Sequence, residues 1–151
     1  MERIFKSLGN RKEVDLIPYL KEKLSGNQKI SIYIGCDSQT IAQDTFYACV
    51  IVLHYERNGG HVIYSREKVS KIKDRFTKLW REVEISMEVA DFLRENGIEA
   101  TYIDIDLNPD PRFRSNSILR AALGFVESKG YAARCKPHAI AASCCADKLC
   151  K

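Results

Sequence analysis

The chain is notable first for what it lacks. Its longest strongly apolar run, residues 46–53, is far shorter than the roughly 20 residues a membrane-spanning helix needs. Residues 1–10 carry Glu2, Arg3 and Lys6 and no apolar stretch of the kind that opens a secretory signal, so a cytoplasmic protein with no membrane partner is expected. No internal repeat, low-complexity tract or linker interrupts the 151 residues, which suit one domain over 1–151. There is no C-x-x-C pair among the six cysteines. His138, Cys144, Cys145 and Cys150 lie close in sequence, but adjacent cysteines chelate one zinc ion poorly, and buried thiols in a reducing compartment are the simpler expectation.

Charge of both signs is plentiful, with a net of +4, but it is unevenly spread. Between residues 66 and 81 stand Arg66, Lys68, Lys71, Lys73, Arg75, Lys78 and Arg81 against only Glu67 and Asp74. Such a cluster suits phosphate contacts, although a solvated loop and helix face would look the same. Arg112, Arg114 and Arg120 form a smaller basic set after the acidic stretch at 104–110.

Hydrophobic periodicity divides the chain into elements. Val14, Ile17, Leu20 and Leu24 predict an amphipathic helix over 11–24, within an N-terminal helical extension covering 1–29. Alternation then predicts strands at 30–36, 46–55 and 61–68, the last two joined at the hairpin signal Asn58-Gly59-Gly60. Leu79, Val83, Met87, Ala90 and Leu93 mark a helix over 79–95. A strand at 99–107, a helix at 117–128, a short strand at 131–136 and a last helix from Pro137 complete the order. A three-strand meander followed by αβαβα predicts an α/β fold: a mixed five-stranded sheet, three strands antiparallel and two parallel, flanked by helices.

Four acids fall where this topology could gather them. Asp37 directly follows the first strand, and Asp106 ends the fourth, with Asp104 one pleat earlier on the same face. Glu84 borders the apolar stripe of the long helix, with Glu82 and Glu88 as neighbours, and Asp147 lies in the last helix. Clustered carboxylates repel one another and form the natural oxygen cage for Mg²⁺ or Mn²⁺. Two such ions can activate a water and stabilise the leaving oxygen of a phosphodiester. Each residue also has a plain explanation: Asp37 as a turn former, Glu84 as a helix-surface acid, Asp106 as a cap, Asp147 as a partner of Lys151.

The element order and these positions resemble the ribonuclease H-like superfamily, and more closely its bacterial and phage YkuK-type branch. The segments that carry the resemblance are I-G-C-D-S-Q (34–39), L-W-R-E-V-E-I-S-M-E-V-A (79–90), I-D-L-N-P (105–109) and K-P-H-A-I-A-A-S-C-C-A-D (136–147), with Cys36 where the branch more often has Thr. The resemblance implies a metal-dependent nuclease acting by a two-metal-ion mechanism on RNA, RNA–DNA hybrid or structured DNA. It makes Asp37, Glu84, Asp106 and Asp147 the catalytic and metal-binding acids. Ser38, Gln39, Asn108 and His138, together with Lys71, Lys73 and Arg75, would contact substrate. The alternative is a non-catalytic nucleic-acid-binding or assembly protein on the same fold, and a dimeric junction resolvase would share the chemistry.

Overall fold

The computed structural model describes residues 1–57, 59–107, 110, 112, 116–136, 138–139, 141 and 149. Among them are seven strands, β1 (Phe5–Ser7), β2 (Glu13–Val14), β3 (Ile30–Ile41), β4 (Asp44–Tyr55), β5 (Gly60–Ser70), β6 (Tyr102–Asp104) and β7 (Ala133–Arg134), and three helices, α1 (Leu16–Leu24), α2 (Arg75–Glu95) and α3 (Asn116–Ser128). The last helix expected from Pro137 falls mainly outside the described residues.

One mixed sheet carries all seven strands in the order β2-β1-β5-β4-β3-β6-β7. β3, β4 and β5 are antiparallel, and β6 and β7 run parallel to β3, as the meander and crossovers predict. The expectation of five strands is corrected to seven. β1 and β2 come from the segment assigned to a helical extension, and β1 pairs with β5 through Lys6↔Tyr64 and Ser7↔Ile63. They cover backbone groups that β5 would otherwise leave unpaired at the sheet edge. Consequently α1 starts at Leu16 rather than residue 11, because Arg11 has a positive φ of 58° and Glu13–Val14 are extended. Pro18 sits in its first turn, where the missing amide proton leaves no helical bond unmade.

The central hairpins are longer than predicted. β3 runs on through Ser38, Gln39 and Thr40 to Ile41, each paired with β4, so polar side chains conceal a continuous backbone ladder. At the β4–β5 turn Gly59 takes a φ of +62°, and a Cβ on Gly60 would lie 2.7 Å from the Leu53 carbonyl oxygen. This close approach explains the glycine pair.

α2 lies across the sheet and buries Val83, Met87, Ala90 and Leu93, together with Ile85, Val89 and two polar residues, Glu82 and Ser86. It begins four residues earlier than expected because Asp74 caps it, accepting from Thr77 N at 2.9 Å and Thr77 Oγ1 at 2.6 Å. Ile32, Ile34, Cys36, Cys49, Ile51, Leu53, Ile63 and Ile103 supply the sheet side of this core. The opposite face carries a smaller apolar group around Tyr33, Val50 and Val52. No helix of the described residues is long and apolar enough to cross a membrane.

Candidate functional site

Strand geometry brings the central acids together. Gly35 on β3 pairs with Asp104 on β6. Asp37 lies two residues beyond Gly35 in β3, and Asp106 two residues beyond Asp104, just past the end of β6; strand alternation puts Asp37 on the face opposite α2. β6 pairing ends at Asp104, whereas β3 continues, so Asp37 sits inside β3, paired with Ala48 of β4, rather than at the strand's end as the sequence suggested. Its Oδ1 accepts from the Ser38 amide at 2.9 Å.

From the other face the helix contributes Glu82. It is 6% exposed, and the Ser38 hydroxyl donates to its Oε1. Burial pushes the Glu82 carboxyl well above the ordinary carboxylate range; the Ser38 hydrogen bond opposes the shift, Asp37 and Asp106 add to it, and Lys78 opposes it. Glu82 thus feels both sheet acids. The sequence argument favoured Glu84, but two residues turn an α-helix by about 200°, so Glu84 projects from the side opposite Glu82. The structure brings Glu82, not Glu84, to Asp37 and Asp106. Glu88 is engaged elsewhere, in ion pairs with Arg3 at 2.8 Å and Arg81 at 2.8 Å.

The neighbouring acids differ sharply in their partners. Asp104 is 2% exposed and receives Arg134 Nε at 2.8 Å, Arg134 Nη2 at 2.9 Å and the Ala141 amide at 2.7 Å. Such a bidentate, buried pair is a structural fixture. Asp106 meets Lys136 Nζ at 3.2 Å, and both aspartates line a small cavity of about 10 Å³ with Glu82, Ser86 and Cys36.

Beside Glu82 opens a cleft of about 550 Å³ lined by Asp37, Ser38, Thr40, Lys71, Lys73, Arg75, Lys78 and Glu82. Two buried polar residues of β4, neither singled out by sequence, hold its basic wall. Thr45 Oγ1 accepts from Ile72 N at 3.0 Å, fixing the segment between Lys71 and Lys73. Tyr47 OH donates to the Lys78 carbonyl at 3.1 Å, fixing the first turns of α2. The only sequence signal for them was a hydroxyl pair embedded in an otherwise apolar strand.

Of the expected site residues, the structure gathers Asp37, Ser38, Lys71, Lys73 and Arg75 around one cleft, with Asp106 adjoining through Glu82. Gln39 does not line it, and its buried Oε1 has no hydrogen-bond partner among the described residues. His138 lines a different cavity, with Tyr102, Arg134 and Cys135. Asn108 and Asp147 lie outside the described residues, as do Cys144, Cys145 and Cys150. Cys36 and Cys49 are buried free thiols; burial pushes Cys49 up to about 12, so they act as core side chains.

Among the described residues no three His, Cys, Asp or Glu side chains form a group that could hold a metal ion as they stand. In chemical type, however, the donors fit a hard cation: they are all carboxylates, and one of them is buried against the charge of the other two.

The fold is a mixed α/β sheet with carboxylates on β3, on α2 and just beyond β6, beside a basic cleft. A family model described as ribonuclease H-like matches residues 15–151, and the chain belongs to that family. Comparison with curated proteins finds no match, and comparison with solved structures finds none either.

Proposed function

We propose that the protein is a divalent-cation-dependent nuclease that hydrolyses phosphodiester bonds of RNA, RNA–DNA hybrid or structured DNA, in keeping with the YkuK-type resemblance. The observation that carries this reading is the cleft that sets Asp37 and the buried Glu82 beside four cations, with Asp106 near enough to act on Glu82. A buried carboxylate pressed by two other acids is costly without a cation, and such costs concentrate at functional sites.

Asp37, Asp106 and Glu82 would hold Mg²⁺ or Mn²⁺, with Asp147 as a further candidate and Glu82 taking the place first assigned to Glu84. The cation would neutralise charge developing on the phosphodiester oxygens. Ser38 orients Glu82 through its hydroxyl and Asp37 through its amide, so one residue couples the acids on the two sheet faces. Lys71, Lys73, Arg75 and Lys78 hold the phosphate backbone across the cleft mouth and bring the scissile bond to the acids. Ser38→Ala therefore removes the hydroxyl bond to Glu82 and leaves the amide bond to Asp37 in place.

The test is cleavage of labelled hybrid, double-stranded RNA and branched DNA in Mg²⁺, Mn²⁺ or EDTA. Cleavage that needs the cation and disappears in Asp37→Asn supports the reading, and cleavage that survives Asp37→Asn overturns it.

One observation favours a second reading, a nucleic-acid-binding protein without turnover. Lys136 already neutralises Asp106 at 3.2 Å, as a side chain would if no metal were to be held there. Under that reading Mn²⁺ leaves the melting temperature unchanged and no substrate is cut, while nucleic acid still binds.

A further inference from the structure

Just outside the cleft the first turns of α2 carry an aromatic surface that hydrolysis does not use. Phe76 is 50% exposed, and among the described residues it is the one aromatic side chain in the set of exposed large apolar residues. Its ring stacks on Trp80, one helical turn on, with centroids 6.0 Å apart and planes 5° from parallel. Trp80 in turn leans on Phe125 of α3 at 5.6 Å. The outer ring is therefore held flat against a fixed support before any ligand arrives, and its other face meets solvent.

The position of this ring is as informative as its exposure. Phe76 follows Arg75, and Trp80 follows Lys78 and Leu79, all three of which line the cleft. The stacked pair thus sits on the same first turns of α2 as Arg75 and Lys78 of the basic wall, around the helix from Glu82. The other exposed large apolar residues are aliphatic: Met1, Ile4, Leu8 and Ile41. An exposed flat ring beside a row of cations is the arrangement by which proteins hold unpaired bases, the cations taking phosphates and the ring taking a π-face. Paired bases stack on their own neighbours and do not offer that face.

We propose that the outer face of Phe76, backed by Trp80, stacks an unpaired base of the strand whose phosphates the cleft cations hold. This deepens the nuclease reading and rests on its nucleic-acid part: the preferred ligand carries a single-stranded segment, an overhang or a splayed nucleotide next to the cleft. Because the ring is already ordered, the contact gains affinity without further loss of side-chain freedom.

The test uses the full chain in EDTA, so that binding is read without cleavage. The probes are fluorescein-labelled oligothymidylate, oligouridylate and a blunt DNA duplex, followed by fluorescence anisotropy at low salt. The proposal expects Phe76→Ala to weaken single-stranded binding about tenfold, the size of one base–aromatic stacking contact, and to leave duplex binding unchanged. Phe76→Tyr should bind as the parent does. Since the chain has one tryptophan, Phe76→Trp combined with Trp80→Phe moves the only tryptophan to the outer position, where single strands should quench its emission and the blunt duplex should not. Equal weakening for duplex and single strand, or unquenched emission at saturating oligonucleotide, overturns the platform while leaving nucleic-acid binding standing. Absence of binding to all three probes overturns both.

Discussion

Asp104 and Asp106 are two residues apart and share a face of the sheet, yet they live in opposite electrostatic conditions. Asp104 is fully enclosed, gripped by both arms of Arg134 and by a backbone amide. Arg134 itself lies over the Tyr33 and Tyr102 rings at 4.1 and 4.6 Å. Every demand of that carboxylate is met inside the chain. One pleat on, Asp106 meets Lys136, a long-armed lysine that is 45% exposed, and it acts on the buried Glu82 together with Asp37. The first acid knits β6 to β7; the second is one of the three that the proposed function assigns to a cation. Burial alone does not mark a site, since Asp104 is as buried as Glu82. Compensation separates them.

The comparison breaks first at Asp37. Asp37→Asn should lower cation-dependent hydrolysis by at least about a thousandfold, measured as single-turnover cleavage, with the melting temperature unchanged or raised. Asp104→Ala should act on stability instead. It leaves Arg134 with its charge unmatched and should cost about 3–5 kcal/mol in chemical denaturation, and the double replacement Asp104→Leu with Arg134→Met should recover most of it.

Glu82 sharpens the contrast in a smaller way. In the metal-free chain its carboxyl keeps its proton to higher pH folded than unfolded, so the folded state binds more protons between the ordinary value of 4.5 and the raised one. Stability should therefore fall as pH rises through that window. Glu82→Gln should flatten the dependence and raise the neutral-pH melting temperature by about 3 °C, the shift roughly 1 kcal/mol makes in a domain of this size. Smallest of all, Lys73→Ala should weaken nucleic-acid binding several-fold and reduce the slope of log affinity against log salt by about one.

Much of this was legible in the sequence. The alternation of Ile30, Ile32 and Ile34 placed β3, the long apolar strand placed β4 at its side, and the crossovers predicted β6 parallel to β3, where Gly35 pairs with Asp104. The misses have physical causes. β3 runs on through Ser38-Gln39-Thr40 because a ladder needs backbone pairing rather than apolar side chains, and a pattern of apolar residues stops where those stop. Glu82 was passed over for the same reason: the stripe was drawn through the apolar Leu79, Val83, Met87, Ala90 and Leu93, whereas the buried face also holds Glu82 and Ser86. Two polar residues at helical spacing among Leu79, Val89 and Leu93 were the available signal. β1 and β2 are too short to show a period, and the grip of Arg134 on Asp104 spans 30 residues.

On the proposed reading Asp37, Asp106 and Glu82 hold a divalent cation, whereas Asp104 holds Arg134. Titration of Mn²⁺ into the full chain at neutral pH, followed by calorimetry, tests it most directly. The account predicts saturable binding that is lost in Asp37→Asn and strongly weakened in Glu82→Gln, with Glu84→Gln binding as the parent does. Binding of Mn²⁺ that is indifferent to Asp37 and Glu82, or no binding by the parent chain at millimolar ion, would contradict it.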